Sequence, residues 1–246
     1  MHRRPLALLT FDIDDTLYST TEFARLAREN ALRAMLQSGL KAPFERAAAE
    51  LAEVIQEFGS NDQHHFDRLL QRLPPETCAG CHPAVLVAAG VTAYHRTVHD
   101  QLKLCDDVLD ALRGLRAAGF RLGVLSQGLT AKQAQKLVRL GVLPFLDPRA
   151  IFFNELVGYS KNNPKFYLHV AQKLALQPER CLHAGDRLDR DVEPARRAGW
   201  LAALICRAGP VPPGDTQPTY RVRDFRELAE QVARDFAPVP EGASAG

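Results

Sequence analysis

Long hydrophobic runs are missing from this sequence. No apolar stretch approaches the roughly 20 residues that a membrane-spanning helix requires. The apolar segment at residues 6–11 leads directly into acidic residues rather than into a cleavage site, so it does not have the form of a secretory signal. The sequence therefore predicts a protein without a membrane span and without an export signal.

Cysteine and charge of one sign are also scarce. The five cysteines are an odd number with irregular spacing, which favours free thiols in a reducing compartment over a disulfide framework. The formal net charge is +2 and the basic residues are scattered, so nothing indicates a nucleic-acid-binding surface. Hydrophobic residues make up 46% of the 246-residue chain, enough for a sizeable core. A cytoplasmic enzyme or binding protein is the expectation.

Five short apolar runs recur along the chain, with helical patterns between them. Runs without polar alternation are typical of parallel strands that helices cover on both faces. Strand alternating with helix predicts a doubly wound α/β sheet. The runs are LALLTF (6–11), RLGVLS (121–126), AIFF (150–153), CLHAG (181–185) and LAALIC (201–206).

Residues 19–103 interrupt this alternation. They contain no convincing strand, and their apolar residues recur at a spacing near 3.6, which predicts an all-helical cap domain inserted after the first strand. The catalytic core is then predicted from residues 1–18 and 104–236. Residues 237–246 lack a hydrophobic pattern and are predicted to be a disordered tail.

Polar residues follow three of the predicted strands directly. Asp12 and Asp14 follow the first strand, Ser126 ends the second, and Asp186 follows the fourth, with Asp191 shortly after. Ligands of open α/β sheets bind beyond the carboxyl ends of the strands, so these side chains are expected to converge. Clustered carboxylates raise one another's pKa unless a cation compensates them, and hard oxygen ligands suit Mg²⁺.

This set of residues predicts phosphoryl transfer. Asp12 can attack phosphorus and form an aspartyl-phosphate, while Asp14 can protonate the leaving alcohol and then activate water. Ser126, its neighbouring N–H groups and a lysine can hold the phosphoryl oxygens. Lys161 is the preferred lysine because it lies on a loop at this edge, whereas Lys165 falls inside the following helix.

Together these segments resemble the haloacid dehalogenase-like (HAD) hydrolase superfamily. Its first motif, Asp-x-Asp-x-Thr after an apolar strand, is DIDDT (12–16), and its second, a Ser or Thr after a strand, is VLSQG (124–128). The third and fourth are matched by SKNNPKFY (160–167) and AGDRLDRDVEPARRAG (184–199). The resemblance covers residues 6 to 206. It implies a Rossmann-like core with a helical cap and Mg²⁺-dependent hydrolysis of a small phosphorylated metabolite, a phosphomonoester.

The resemblance also implies a role for each matched residue. The implied catalytic residues are Asp12 as nucleophile, Asp14 as acid/base, and Lys161. The implied metal-site residues are Asp12, Asp14 through its backbone carbonyl, Asp186 and Asp191. The implied phosphate-binding residues are Thr16, Ser126 and Gln127. Gln127 stands where the family commonly has Asn, and Asn162 follows Lys161 where the family commonly has Pro. Asp14 favours a phosphorylated substrate over a halogenated one, because haloacid dehalogenases lack this second aspartate.

Two other functions use the same residues. A phosphomutase would transfer the phosphoryl group between positions, and a non-catalytic phospho-acceptor would accumulate the aspartyl-phosphate and act by binding partners. Asp14 favours turnover, because a positioned acid/base has no use in a protein that keeps its phosphoryl group. No segment indicates whether the substrate is a sugar, nucleotide or organic acid phosphate, and none indicates the oligomeric state.

Two patterns within residues 19–103 suggest other cofactors. Cys78, Cys81 and His82 form the CAGCH attachment pattern of c-type haem, but haem attachment requires export. His95 and His99 have the i, i+4 spacing of a zinc helix without the intervening Glu. We interpret both patterns as parts of an ordinary helical domain.

Overall fold

The structure is a computed structural model that describes residues 3–59, 62–100, 102–207 and 216–240, without the side chains of residues 21, 98 and 99. Contacts divide the chain into two compact units. One is formed by Met1–Ser19 with Lys103–Gly246, and the other is Thr20–Leu102. The sequence predicted the inserted segment as residues 19–103.

The helices and strands follow one another along the chain in the order given below. In order, they are β1 (Arg4–Leu6), β2 (Leu8–Phe11), α1 (Thr20–Gln37), α2 (Phe44–Phe58), α3 (His65–Arg72), α4 (Pro83–Asp100), α5 (Val108–Ala117), β3 (Leu122–Ser126), α6 (Thr130–Arg139), β4 (Ile151–Phe153), α7 (Asn154–Val157), α8 (Pro164–Lys173), β5 (Cys181–Gly185), α9 (Glu193–Arg197), β6 (Leu201–Ile205), β7 (Tyr220–Val222), α10 (Phe225–Asp235) and β8 (Phe236–Pro238).

Six strands form one parallel sheet in the spatial order β4-β3-β2-β5-β6-β7. Phe11, at the end of the central strand β2, pairs with Val124 of β3 and Ala184 of β5. Five of the six strands lie in the predicted apolar runs, which confirms the Rossmann-like parallel sheet. The edge strand β7 was not predicted, because the exposed Arg221 at its centre breaks the apolar pattern.

Helices cover both faces of this sheet. Successive side chains of a strand point to opposite faces, so Leu8 and Phe11, three residues apart, lie on different sides. Leu8 belongs to the same buried cluster as Phe166 of α8, while the ring of Phe11 lies 5.1 Å from that of Phe225 in α10, measured between centroids. Burying each such side chain stabilises the fold by roughly 1.5–3 kcal/mol.

A second, two-stranded parallel sheet joins β1 to β8, with Arg4 opposite Phe236. Ala237 and Pro238 are therefore part of a strand, and the tail predicted from residue 237 is wrong for these two positions. Main-chain pairing at the edge of a short sheet orders a segment whose side chains carry no hydrophobic pattern, and proline is tolerated at such an edge. Residues 241–246 lie outside the described residues.

The unit Thr20–Leu102 contains α1 to α4 around its own apolar core, which includes Met35, Leu69 and Leu86. Gly90 of α4 allows close packing there, because a Cβ at this position would lie 2.9 Å from the sulfur of Met35. None of the helices in the described ranges combines the length and the hydrophobicity needed to cross a bilayer.

The cysteine and histidine patterns of this unit can be placed only in part. Cys78 and Cys81 are free thiols, partly buried against the apolar core. His95 is exposed, and the side chain of His99 lies outside the description.

Candidate active site

The acidic residues predicted at the strand exits line one cavity of about 200 Å³, together with Lys161 and Gln127, whereas the buried Ser126 and Thr16 are not among its lining residues. They converge because β2, β3 and β5 are parallel neighbours whose carboxyl ends lie at the same edge of the sheet. The lining residues are Asp12, Asp14, Asp15, Gln127, Lys161, Asp186, Arg187, Arg190 and Asp191.

Lys161 joins two of these carboxylates inside the protein. Its Nζ lies 2.6 Å from Oδ1 of Asp12 and 2.5 Å from Oδ1 of Asp191, and the lysine side chain is only 2% exposed. The loop before α8 places it there, since Asn163 caps the helix by accepting a hydrogen bond from the N–H of Lys165 and Pro164 forms its first turn. Lys165 is exposed on α8 and does not line the cavity.

The charges of this group depend on one another. Burial lowers the pKa of Lys161, but the carboxylates of Asp12 and Asp191 outweigh burial and raise it. Burial raises the pKa of Asp12 to about 6, against the opposing effect of Lys161. Burial also acts to raise the pKa of Asp191, but Lys161 and His183 together lower it. The lysine is therefore held charged between the two carboxylates.

Asp12, Asp186 and Asp191 form an acidic group that could hold a metal ion. One carboxylate oxygen from each lies within 4.8 Å of the other two. Burial, followed by the negative charges of Asp191 and Asp12, raises the pKa of Asp186 to about 7. Three carboxylates beside a single ammonium leave excess negative charge, and hard oxygen ligands from separate loops fit Mg²⁺.

Asp191 is fixed by partners that the sequence did not reveal. It lies on a π-helical turn, Leu188–Val192, and its Oδ2 accepts a hydrogen bond of 2.8 Å from the N–H of Arg187. His183 of β5 contacts its Oδ1 at 3.3 Å through Nε2 and contacts Thr10 at 2.9 Å through Nδ1. Burial, and then the charge of Lys161, lowers the pKa of His183 to about 4, so it is neutral near pH 7. His183 was not predicted as a site residue, because a histidine within an apolar strand is interpreted as part of the core.

Asp14 lies outside the acidic group and is held by three other side chains. Its Oδ1 accepts hydrogen bonds from the hydroxyl of Tyr18 and, at 2.6 Å, from Nζ of Lys136. Its Oδ2 accepts one of 3.1 Å from Nε2 of Gln133. Burial alone would raise the pKa of Asp14, but Lys136 outweighs it, helped by the hydrogen bonds from Tyr18 and Gln133, and the pKa is lowered. The sequence analysis did not predict these three partners. For two of them the sequence holds a weak signal, because Gln133 and Lys136 are three residues apart on α6.

The hydroxyls of Ser126 and Thr16 are buried and lack a hydrogen-bond partner among the described residues. A buried hydroxyl without a partner is costly, so each is a candidate donor to a bound phosphate. The side-chain oxygen of Gln127 is already engaged, because it accepts hydrogen bonds of 3.3 Å from Ser160 Oγ and from the N–H of Lys161. Gln127 thus ties the second-motif loop to the loop that carries the lysine.

Comparison with known sequences identifies related proteins along nearly the whole chain. The sequence model of the haloacid dehalogenase-like hydrolases matches residues 6–199. A glyceraldehyde 3-phosphate phosphatase from Methanopyrus kandleri is 41% identical over 234 residues, covering 92% of this chain and 97% of the relative. A glyceraldehyde 3-phosphate phosphatase from Methanocaldococcus jannaschii is 32% identical over 225 residues, covering 91% and 96%.

Solved structures share the fold. A HAD phosphatase from Thermococcus onnurineus superposes with a TM-score of 0.61 at 23% sequence identity, covering 94% of this chain and 99% of the other. At this identity, the likeness carries information on the fold alone.

Proposed function

The chain belongs to the haloacid dehalogenase-like hydrolases, and we propose that it is a Mg²⁺-dependent phosphatase that acts on a small phosphomonoester. The observation that carries the proposal is the buried ammonium of Lys161 between the carboxylates of Asp12 and Asp191, in a cavity that Asp14 also lines. The names of the two archaeal relatives make glyceraldehyde 3-phosphate the first substrate to test.

Asp12 is the nucleophile in this proposal. Its carboxylate oxygen attacks phosphorus while the bond from phosphorus to the alcohol oxygen breaks, which leaves an aspartyl-phosphate. Lys161, 2.6 Å from Asp12 Oδ1, orients the carboxylate and offsets charge on the phosphoryl oxygens. The buried hydroxyl of Ser126 can donate a hydrogen bond to one of these oxygens.

Asp14 is the acid/base. In the first step its carboxyl group donates a proton to the departing alcohol oxygen. In the second step its carboxylate accepts a proton from water, whose oxygen attacks phosphorus and releases inorganic phosphate with free Asp12. The carboxyl group of Asp14 lines the cavity without belonging to the acidic group. Because Lys136 lowers its pKa, Asp14 must bind a proton before it can act as the acid in the first step.

Asp12, Asp186 and Asp191 are the residues proposed to hold the metal ion. When bound there, Mg²⁺ would supply positive charge that offsets the negative charge of the phosphoryl oxygens. The backbone carbonyl of Asp14 is a further candidate ligand, as the family resemblance implies.

Phosphate release from a panel of small phosphomonoesters, with and without Mg²⁺, tests the proposal. Asp12→Asn should lower the rate at least about a thousandfold, because the covalent pathway is lost. Asp110→Asn is the matched control, since Asp110 is a highly exposed carboxylate on α5. Phosphatase activity that persists both in EDTA and in the Asp12→Asn variant would contradict this mechanism.

The same assay separates the two alternatives. A phosphomutase would require a bisphosphate activator and yield an isomer without free phosphate. A phospho-acceptor would become phosphorylated once, without turnover. Multiple turnovers of phosphate release, together with an added phosphoryl group detected on Asp12 by mass spectrometry after acid quenching, would support the phosphatase over both.

A further inference from the structure

Helix α6 provides two of the three side chains that bind Asp14. Nζ of Lys136 lies 2.6 Å from Oδ1, and Nε2 of Gln133 lies 3.1 Å from Oδ2. Both carboxyl oxygens are therefore held from one helix, and the Tyr18 hydroxyl adds a further bond to Oδ1. Nζ of Lys136 also lies 5.7 Å from the centroid of the Tyr18 ring, which is within the range of a cation–π interaction.

Contacts with the loop before α6 fix the position of the Gln133 side chain. Its side chain is buried and donates a second hydrogen bond, of 2.9 Å, to the carbonyl of Gln127. Gly128, with φ at 144°, makes room for it, because a Cβ there would lie 2.6 Å from Nε2 of Gln133. Any side chain at residue 128 would displace the amide. The second-motif loop and the acid/base are thus linked through Gln133.

We propose that Lys136 and Gln133 are positioning residues that aim the carboxyl group of Asp14 at the oxygen of the leaving group. The Asp14 side chain is one-third exposed, so without these two donors only the hydrogen bond from Tyr18 would limit its rotation about the side-chain bonds. Proton transfer requires the acid within hydrogen-bond distance of the oxygen that receives the proton, and small errors of placement lower rates steeply. This inference rests on the phosphatase function proposed above.

The leaving group provides a readout that a merely structural role would not change. Phenolate is a much stronger base than 4-nitrophenolate, so phenyl phosphate depends on a well-aimed acid while 4-nitrophenyl phosphate hardly does. The two probes have similar shapes, and kcat/KM for each reports the steps up to phosphoryl transfer to Asp12. A defect in folding or in the nucleophile would lower both values equally.

Lys136→Met should lower kcat/KM for phenyl phosphate at least about tenfold and for 4-nitrophenyl phosphate less than about threefold, a fraction of the roughly 10² to 10⁴ that acid catalysis contributes. The loss should fall on kcat rather than on KM. Lys136→Arg should recover much of it. Lys132→Met is the matched control, because Lys132 is exposed one turn earlier on the same helix, and it should leave both probes unchanged.

Any of four other outcomes overturns the inference. These are equal losses of kcat/KM on the two probes, no loss on either, a gain on phenyl phosphate, and the same loss in Lys132→Met. If Lys136→Met does not fold, Gln133→Met removes the amide that donates to Oδ2 of Asp14 and is expected to show the same selective loss. A wild-type protein that releases phosphate from neither probe and from no phosphomonoester of the panel would instead refute the proposed function itself.

Discussion

Replacing Lys161 by Met would remove the ammonium at the centre of the site while keeping an unbranched apolar side chain. In the structure, this ammonium lies 2.6 Å from Asp12 and 2.5 Å from Asp191, both buried. Removing one member of a buried ionic group typically costs about 3–5 kcal/mol, because the remaining charges lose their compensation. The free energy of unfolding measured in EDTA should fall by about this amount.

The same substitution should lower kcat/KM by roughly 10² to 10³, the loss typical of removing one preorganised electrostatic contact to the transition state. Mg²⁺ should restore part of the stability, because it binds the carboxylates left without a partner, but it should restore little of the activity. Urea unfolding with and without Mg²⁺, together with steady-state kinetics, measures both effects.

Lys165→Met is the matched control, four residues further along the chain. Lys165 is exposed on α8, so its substitution should change stability by less than about 0.5 kcal/mol and leave kcat/KM within about threefold of wild type. The reasoning is refuted if Lys161→Met retains kcat/KM within threefold of wild type, or if Lys165→Met proves the more damaging change.

Two further predictions concern the acidic group. Burial raises the pKa of Asp186 from 3.8 to about 7, so without a cation the folded protein binds this proton more tightly than the unfolded chain, and stability should fall as the pH rises from about 4 to about 7. Asp186→Asn should reduce that fall in urea unfolding with EDTA and should raise the Mg²⁺ concentration needed for activity; an unchanged slope would contradict the assignment. Gly185→Ala would place a methyl group against the Asp191 carboxyl group, at a cost of about 1–3 kcal/mol. Gly114→Ala in α5, where a Cβ meets nothing within 4 Å, should instead stabilise by roughly 0.5–1 kcal/mol. Thermal unfolding of both glycine variants measures these effects. Similar shifts in Tm for the two variants would contradict the packing argument.

The apolar runs were sufficient to predict five strands of the sheet, because a strand buried on both faces leaves a continuous hydrophobic signal. They were insufficient for β7 and β8. Arg221 interrupts the first of these strands, and Ala237 and Pro238 of the second are ordered by main-chain pairing with β1. Backbone hydrogen bonds are nearly independent of side-chain identity, so such a strand has little sequence signature.

The sequence by itself determined which residues could carry the chemistry. Acidic residues directly after apolar strands must lie at the carboxyl edge of a parallel sheet, so Asp12, Asp14 and Asp186 could be assigned to one site before any coordinates. The predicted helix start at Pro164 also distinguished Lys161, on the preceding loop, from Lys165, inside the helix.

Only the tertiary structure decided which partners these residues have. Spacing on α6 places Gln133 and Lys136 on one helical face, but it does not say what that face meets, and the structure turns it towards Asp14. His183 likewise looks like any core residue of a strand until β5 and the π-helical turn bring it against Asp191. Contacts between segments distant in sequence follow from the spatial order of the strands and from side-chain packing, and local periodicity contains neither.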